Sequence, residues 1–346
     1  MATINKAIIY FFSGTGNARQ VALWLTRFAN EKNIDCQVLD ISKFEIESTD
    51  KIDQNVLIII ISPIHGFNYP KITLHFIRNF PQGKSNVVLM NTRAGIRIGN
   101  FIIPGLTGIA FFLASCMLKQ KGYKIKGTIP FDMPSNWISI HPALNDKSVR
   151  FLHRKIHERV EFHAGKIFSG RSDFHSRRDL VQDILISPVS LGYYLVGRYA
   201  FAKSFYANSD CDNCGICISN CPVKAIKTIN GRPFWTLKCE SCMKCMNSCP
   251  KKSIETAHVL MVVVCISGAV FMSFFAGTIL SLYLQSVPLR IIVDCLVFLF
   301  LMVTFYRVQH ILLQNKVTGK LISLISLTHY KFWGRYRSIP DSKWEK

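Results

Sequence analysis

Eight of the twelve cysteines lie in one short stretch of the chain. They form two runs of the pattern CxxCxxCxxxCP, at 211–222 and 239–250, in which Cys211 corresponds to Cys239, 28 residues later. The equal offset at every matching position indicates an internal duplication. Three closely spaced thiolates with a fourth ahead of a proline are typical of [4Fe-4S] ligands, whereas a zinc site prefers two CxxC pairs. The sequence therefore predicts two [4Fe-4S] clusters.

In this pattern the fourth cysteine of each run binds the cluster of the other run. We predict that the first cluster is bound by Cys211, Cys214, Cys217 and Cys249. We predict that the second is bound by Cys239, Cys242, Cys245 and Cys221. Over about residues 205–256 the segment resembles bacterial two-cluster ferredoxins, and the resemblance implies a unit that passes single electrons and has no substrate pocket of its own.

A second candidate site follows the first predicted strand near the start of the chain. Its residues are Ser13, Gly14, Thr15, Gly16, Asn17 and Ala18. The glycines permit close backbone approach, the hydroxyls can donate to phosphate oxygens, and the amides at the start of the following helix favour an anion. The loop is neither a Walker A loop nor a dinucleotide GxGxxG, because Arg19 occupies the third glycine position. A terminal monophosphate fits it better than a pyrophosphate.

This loop resembles the phosphate loop of flavodoxins, from whose usual pattern [ST]xTGxT it departs only where Ala18 lacks a hydroxyl. The resemblance covers about residues 4–165 and implies a five-stranded doubly wound domain that binds FMN outside the carboxyl ends of its strands. Two further loops fall where such a domain would hold the isoalloxazine ring. The predicted ring contacts are Pro63, His65, Gly66 and Phe67 in one loop and Thr92, Arg93, Ala94 and Gly95 in the other. Ordinary loop packing is the alternative for His65 and Phe67.

The elements that would position these residues belong to an α/β fold. Residues 1 to about 165 alternate short β-rich runs with helical stretches, as in a parallel sheet covered by helices on both faces. The run 56–61 is apolar at every position and predicts a central strand, and 148–168 predicts a closing helix. The apolar run 101–118 contains Pro104 and Gly105, which favours a buried helix of this domain over a membrane span.

Two transmembrane helices are predicted near the C-terminal end. From Thr256 to Leu289 the chain has no Asp, Glu, Lys or Arg over 34 residues, whereas about 20 helical residues cross a bilayer. Ile291–Leu313 is long enough for a return span, with Asp294 and Arg307 toward its ends, where snorkelling or a partner lowers their cost.

The charge pattern orients these spans. The chain has a net charge of +21, and Lys251 and Lys252 precede the first span. The basic residues after the second span include Lys316, Lys320, Lys331, Arg335 and Arg337. The connecting loop offers only Arg290. By the positive-inside rule the soluble domains and both termini face the cytoplasm, across a cytoplasmic or cell inner membrane. The basic residues are scattered rather than clustered on an aromatic-interleaved helix, so no nucleic-acid partner is expected.

The predicted organisation has five parts. These are a flavodoxin-like FMN-binding domain at 1–169, a connector helix at 170–205, a 2[4Fe-4S] ferredoxin domain of α+β type at 206–256, a transmembrane hairpin at 257–313 and a basic cytoplasmic tail at 314–346. Over about residues 4–256 the chain resembles the flavodoxin–ferredoxin fusion proteins called ferrodoxins, which implies the cofactors more firmly than any reaction.

The predicted function is membrane-anchored electron transfer between FMN and the two clusters, with the bilayer, donor and acceptor proteins or a quinone as partners. The alternative is a non-enzymatic carrier or docking subunit on a structural flavodoxin-like platform. The sequence leaves open whether the protein turns over a small substrate by itself.

Overall fold

The computed structural model describes residues 4–44, 55–275 and 286–336. They form two compact units. The first, which we call the sheet unit, contains the residues up to Trp137, Ala143–Leu191 and Tyr336. The second, which we call the cluster unit, contains Ile138–Pro142 and Gly192–Arg335.

The sheet unit is built on a parallel sheet. Its strands are β1 (Lys6–Phe11), β2 (Asp35–Asp40), β3 (Leu57–Pro63), β4 (Asn86–Ile98), β5 (Phe101–Ile103) and β6 (Lys124–Pro134). The parallel strands run in the order β2-β1-β3-β4-β6, and β5 pairs antiparallel with the end of β4. This is the strand order of a flavodoxin-like doubly wound fold. The predicted fold class is confirmed.

Helices cover both faces of this sheet because its central strands are apolar on both sides. They are α1 (Asn17–Glu31), α2 (Lys71–Asn79), α3 (Ala110–Gln120) and α4 (Asp146–Phe168). A further helix, α5 (Leu180–Gly192), follows along the chain and is largely exposed. α1 and α4 share one core with alternate residues of β3, among them Ile59 and Ile61. On α2, Phe76 packs its ring 5.1 Å from that of Tyr10 in β1. β3 is buried from Leu57 to Ser62, as a central strand requires.

Two expectations about this unit are wrong in detail. Residues 91–95 were expected in a loop, but they continue β4 and pair with β6 as far as Gly95 and Pro134. The apolar run 101–118 is not one buried helix, since it starts as β5 and the helix begins only at Ala110. That helix is amphipathic in its contacts, because Ala114 is buried while Phe112 is 74% exposed.

The cluster unit contains two small antiparallel ribbons and two short helices. They are β7 (Phe205–Ala207) paired with β10 (Ile254–Thr256), β8 (Ile226–Ile229) paired with β9 (Arg232–Trp235), α7 (Ile216–Ser219) and α8 (Lys244–Ser248). The duplication extends to the backbone, where left-handed residues recur at the same offset. These pairs are Asn213 with Ser241, Gly215 with Met243 and Lys224 with Lys252. Gly215 and Met243 each precede the short helix of their repeat.

Three further helices belong to the cluster unit: α9 (His258–Phe275), α10 (Val287–Leu312) and α11 (Lys316–Leu324). α9 and α10 lie side by side at Gly268, where an added Cβ would meet Leu301 at 3.9 Å. Their outward side chains are apolar, as at Phe274 and Phe300, which are 78% and 71% exposed. The predicted first span continues into 276–285, which lie outside the described residues.

Two stretches among the described residues are long and apolar enough to cross a membrane, namely α10 and the continuous helical stretch His175–Ala202. The second contains α5, a π-helical turn at Tyr193–Gly197 and α6 (Arg198–Ala202), with Pro188 inside α5. It is the predicted connector helix. Many of its apolar side chains are exposed, for example Leu185, which is 74% exposed.

The segment after α10, predicted as a tail, is folded as far as Tyr336. Thr328 Oγ1 accepts a hydrogen bond from Thr256 N at 2.9 Å, and His329 Nδ1 lies 2.9 Å from Glu255 Oε1. Trp333 Nε1 donates to the Ile138 carbonyl at 2.6 Å. These contacts join the segment to β10 and to Ile138–Pro142 of the cluster unit. Residues 337–346 lie outside the described part.

Candidate functional site

The first predicted set of thiols surrounds a cavity in the cluster unit. Cys211, Cys214, Cys217 and Cys249 all line this cavity of about 230 Å³. Three of them come from the turn before and within α7, while Cys249 arrives from the end of the second repeat. The structure therefore brings the fourth cysteine of one run to the first three of the other.

The second predicted set combines three cysteines of the second run with the fourth cysteine of the first run. Cys239, Cys242 and Cys245 lie around the start of α8. Burial is the main reason that the pKa of each is raised, and Cys221 is close enough to all three to raise it further. Both sets are therefore crossed between the repeats. Left-handed residues at matching positions, Asn213 with Ser241 and Gly215 with Met243, turn the backbone in the same way in both CxxCxxC runs.

Burial raises the pKa of four of these thiols, and neighbouring thiols raise it further; the four are Cys217, Cys239, Cys242 and Cys245. The pKa of Cys217 rises to about 11, and that of Cys242 also to about 11. A thiol that binds a metal is deprotonated by it, so such a crowded set suits a cationic iron centre better than free thiolates.

Backbone amides also point at the sulfurs. Ala225 N donates to Cys221 Sγ at 3.2 Å, and Ser241 N donates to Cys239 Sγ at 3.4 Å. Amide hydrogen bonds to sulfur stabilise added negative charge on a cluster. The cavity lined by four thiols in the first set, and the amide hydrogen bonds to two sulfurs of the second set, fit [4Fe-4S] clusters, which would supply reversible one-electron transfer when bound.

A buried lysine beside the second set was not found from the sequence. Lys203 is 4% exposed, its Nζ donates to the Trp235 carbonyl at 2.5 Å, and it lies 4.5 Å from the ring centres of Phe234 and Tyr306. Burial, chiefly, lowers its pKa to about 8, and Cys239 acts in the opposite direction. Nothing in its local sequence distinguished it from the other lysines, because its partners come from β9 and α10.

The phosphate loop has the expected local geometry. Gly16 is left-handed, with φ 110°, and forms the N-cap of α1. The Gly16 amide donates to Ser13 Oγ at 3.1 Å. No side chain caps the start of α1 and its first turn holds no acidic residue, so the amides there are free of a competing carboxylate. These features fit a phosphate monoester such as that of FMN.

The side chains of Asn17 and Thr15 in the phosphate loop form hydrogen bonds with other residues of the protein. Asn17 Nδ2 donates to the Pro134 carbonyl at 2.8 Å, while Asn17 Oδ1 accepts from the hydroxyl of Tyr336, a residue that is 1% exposed. Thr15 Oγ1 accepts from the side-chain amide of Asn136. The loop is thus fastened to the end of β6 and to the far end of the described chain, and neither Asn136 nor Tyr336 was predicted because both are remote in sequence.

The first predicted ring loop is a tight turn. Gly66 and Phe67 both have positive φ, and His65 N donates to the Asn68 carbonyl at 2.9 Å. The Phe67 carbonyl accepts from Ile109 N at 3.1 Å and from Ser190 Oγ at 2.9 Å. Its backbone is therefore engaged, while the side chains of Pro63, His65 and Phe67 are partly exposed.

The second predicted ring segment is a strand with a buried ion-pair network. Arg93 Nε lies 2.6 Å from Asp132 Oδ1, and Arg93 Nη1 lies 2.6 Å from Asp179 Oδ2. Asp132 also pairs with Arg159 at 3.1 Å. Arg93 is 5% exposed, so the guanidinium expected to contact a flavin is occupied by two carboxylates. Thr92 and Gly95 are buried in the same strand, and Ala94 is exposed.

Residues 210–254 match the family model described as a 4Fe-4S dicluster domain. No curated protein sequence matches the chain. The solved structures that it resembles include oxidised flavodoxin 1 from Bacillus cereus, at 16% identity over 45% of this chain and 97% of that chain, with a TM-score of 0.30.

Two other flavodoxins give similar values. One, from the domain Archaea, is 18% identical over 45% of this chain and 99% of that chain, with a TM-score of 0.28. The other, a Fusobacterium nucleatum variant bound to flavin mononucleotide, is 13% identical over 48% and 98%, with a TM-score of 0.33. The fold of the sheet unit rests on its own strand order. With a 4Fe-4S dicluster domain beside a flavodoxin-like unit, the chain belongs to the class of electron-transfer proteins.

Proposed function

We propose that this protein is a membrane-anchored electron carrier in which FMN, bound by the sheet unit, exchanges electrons with two [4Fe-4S] clusters in the cluster unit. The observation that carries the proposal is the crossed arrangement of two sets of four thiols. A flavin accepts or releases two electrons, whereas each cluster handles one, so the pair of clusters matches the flavin in electron count. A quinone or a membrane redox protein would serve as the partner.

The membrane anchor in this proposal is the pair α9 and α10. Their outward side chains are apolar over most of their length, and α9 begins only two residues after β10 ends. The clusters would then lie next to the lipid surface, in the cytoplasmic membrane or cell inner membrane, with the soluble parts in the reducing cytoplasm.

A second candidate is a ferredoxin-type carrier on a sheet unit that binds no flavin. The observations in its favour are the buried ion pairs of Arg93 and the engaged side chain of Asn17, which remove two predicted flavin contacts. On this view the membrane anchor and the clusters keep their roles, and the protein acts on no small molecule by itself.

The experiment that separates the two is anaerobic purification of the full chain in mild detergent. Iron, acid-labile sulfide and released flavin are measured per chain. Full occupancy of both clusters with one FMN supports the proposal. Clusters without flavin, even after incubation with FMN, support the second candidate, and absence of iron contradicts both.

The phosphate loop has a sharper test. Thr15→Val removes the hydroxyl while keeping the shape of the side chain, and should weaken FMN binding about tenfold, the value of one hydrogen bond to a charged group. The matched control is Thr26→Val, whose hydroxyl donates to the Ala22 carbonyl within α1, accepts from the Cys36 thiol at 4.0 Å and lies outside the phosphate loop. Quenching of flavin fluorescence measures both.

A further inference from the structure

A pocket of about 190 Å³ lies within the cluster unit, between the start of α9, the end of α10 and α11. Six apolar side chains that line it are Leu260, Val263, Phe305, Val308, Leu312 and Ile322. The polar side chains in its lining are His258 and Gln309. A small apolar chamber with few polar groups suits a flat or chain-like apolar ligand that carries a few acceptor atoms.

Gln309 is the polar group in this lining that lacks a partner. It is 6% exposed, and neither its amide nitrogen nor its amide oxygen has a hydrogen-bond partner among the described residues. An unsatisfied buried amide is unfavourable, so a ligand atom that accepts from it would be stabilised.

His258 differs because both of its ring nitrogens are engaged. Leu327 N donates to its Nδ1 at 3.2 Å, so the proton lies on Nε2, which donates to the Ser139 carbonyl at 3.0 Å. His258 therefore forms part of the pocket wall. Gln309 is the polar side chain in the lining that can form a hydrogen bond with a ligand.

The pocket is linked to the second set of thiols through Tyr306 of α10. Tyr306 precedes Gln309 by three residues, which puts the two on one face of α10, about 5–6 Å apart at Cβ. The Tyr306 hydroxyl accepts from Trp235 N at 3.0 Å, and Tyr306 is within electrostatic range of Cys239 and Cys245. A ligand in the pocket would thus be near a cluster bound by those thiols.

We infer that this pocket binds the head group of a membrane quinone, with the Gln309 amide nitrogen donating a hydrogen bond to a quinone carbonyl oxygen. The inference rests on the proposed function and names the substrate class. A quinone is a flat ring with two acceptor oxygens on an apolar tail, which matches the lining. Two reduced clusters, if bound, would supply the two electrons one at a time; with two protons from water, both quinone carbonyls would become hydroxyls.

The test uses the full-length protein with its clusters in detergent, and decylubiquinone as the probe. Equilibrium dialysis measures binding, and anaerobic mixing measures how fast the probe reoxidises clusters reduced with dithionite. Gln309→Leu should weaken binding about tenfold through the loss of one buried hydrogen bond. Iron is measured on every variant, so that loss of a cluster is not mistaken for loss of binding.

Two more variants complete the design. Val263→Phe should weaken binding by filling the pocket while the Gln309 amide is retained. Gln314→Leu is the matched control, because Gln314 is exposed just beyond α10 and outside the lining, and it should bind as the unmodified protein does.

Unchanged binding in both Gln309→Leu and Val263→Phe would overturn the inference. So would equal binding of decanol, which has the tail without carbonyls and would identify an acyl-chain site. The proposed function fails in a different way, by absence of clusters or by their inability to pass electrons to ferricyanide. Clusters that reduce ferricyanide in a protein that does not bind decylubiquinone would overturn the quinone site alone.

Discussion

The positions of Cys249 and Cys221 determine which cysteines make up each of the two predicted cluster-binding sets. Cys249 lines the cavity of the first three cysteines, and Cys221 lies beside the second three. Each set therefore draws on both repeats, so that assembly of either cluster would bring the two repeats together.

We predict that paired substitutions will reveal this crossing. Cys211→Ser with Cys249→Ser removes two ligands of one set and should leave about half of the iron, because the other set is intact. Cys239→Ser with Cys249→Ser damages both sets and should remove nearly all of it. Iron and sulfide analysis measures both, and the opposite result would mean that each run binds its own cluster.

Lys203 is predicted to tune the second cluster. Its charge is buried beside Cys239, so replacing it should disfavour the extra electron of a reduced cluster. Lys203→Met should lower one of the two reduction potentials by roughly tens of millivolts, measured by redox titration with electron paramagnetic resonance. Lys238→Met is the control, since Lys238 precedes Cys239 but is exposed and screened by water. Equal shifts in both variants would contradict the role of burial.

At the scale of elements, the extension of β4 and β6 beyond the core determines what the edge of the sheet can bind. The paired strands carry Arg93 and Asp132 side by side, and Asp179 completes the network from the turn before α5. Gly95 allows the close approach, because a Cβ there would lie 2.5 Å from the Asp132 carbonyl oxygen. The segment is thus a rigid strand in place of a flexible loop.

This network should contribute strongly to the stability of the sheet unit. Asp132→Asn removes a charge that pairs with Arg93 and Arg159 and leaves Arg93 buried with one carboxylate, which should cost about 3 kcal/mol. Asp35→Asn is the matched control; its pair with Lys6 is long and exposed, so its loss should cost less than about 0.5 kcal/mol. Urea unfolding of the full-length protein measures both, and similar midpoints would show that the network is dispensable.

On the scale of the whole molecule, the order of the parts along the chain constrains its orientation. The start of α9 follows directly after β10. The end of α10 leads through α11 to Thr328, which contacts Thr256 in β10. The start of α9 and the end of α10 are therefore both connected to β10 in the cluster unit. Basic residues flank these ends, whereas Arg290, which was expected in the connecting loop, lies in the first turn of α10.

Cysteine labelling should report that orientation. A cysteine at Ser286, just before α10, should react with a membrane-impermeant maleimide added to intact cells, because it would lie on the outer side. A cysteine at Lys320, exposed on α11, should not react until the cells are opened. The unmodified protein gives the background from the native cysteines. Reaction of the second variant alone would reverse the orientation.

Local patterns were sufficient for much of this protein. The eight cysteines and their 28-residue repeat, the glycines of the phosphate loop and the apolar run 56–61 each act within a few residues, so their spacing predicts the local structure directly. The doubly wound sheet followed from the alternation of strands and helices, because each periodicity reflects which faces are buried.

Other features were decided by tertiary contacts alone. Arg93 was expected in a loop. The fold brings it into contact with Asp132 and Asp179, which are 39 and 86 residues away in the sequence. Lys203, Gln309 and Tyr336 carry no local signal, because what distinguishes them is burial by elements remote in sequence. Burial and ion pairing depend on which segments the fold brings together, and a sequence pattern records only the neighbours along the chain.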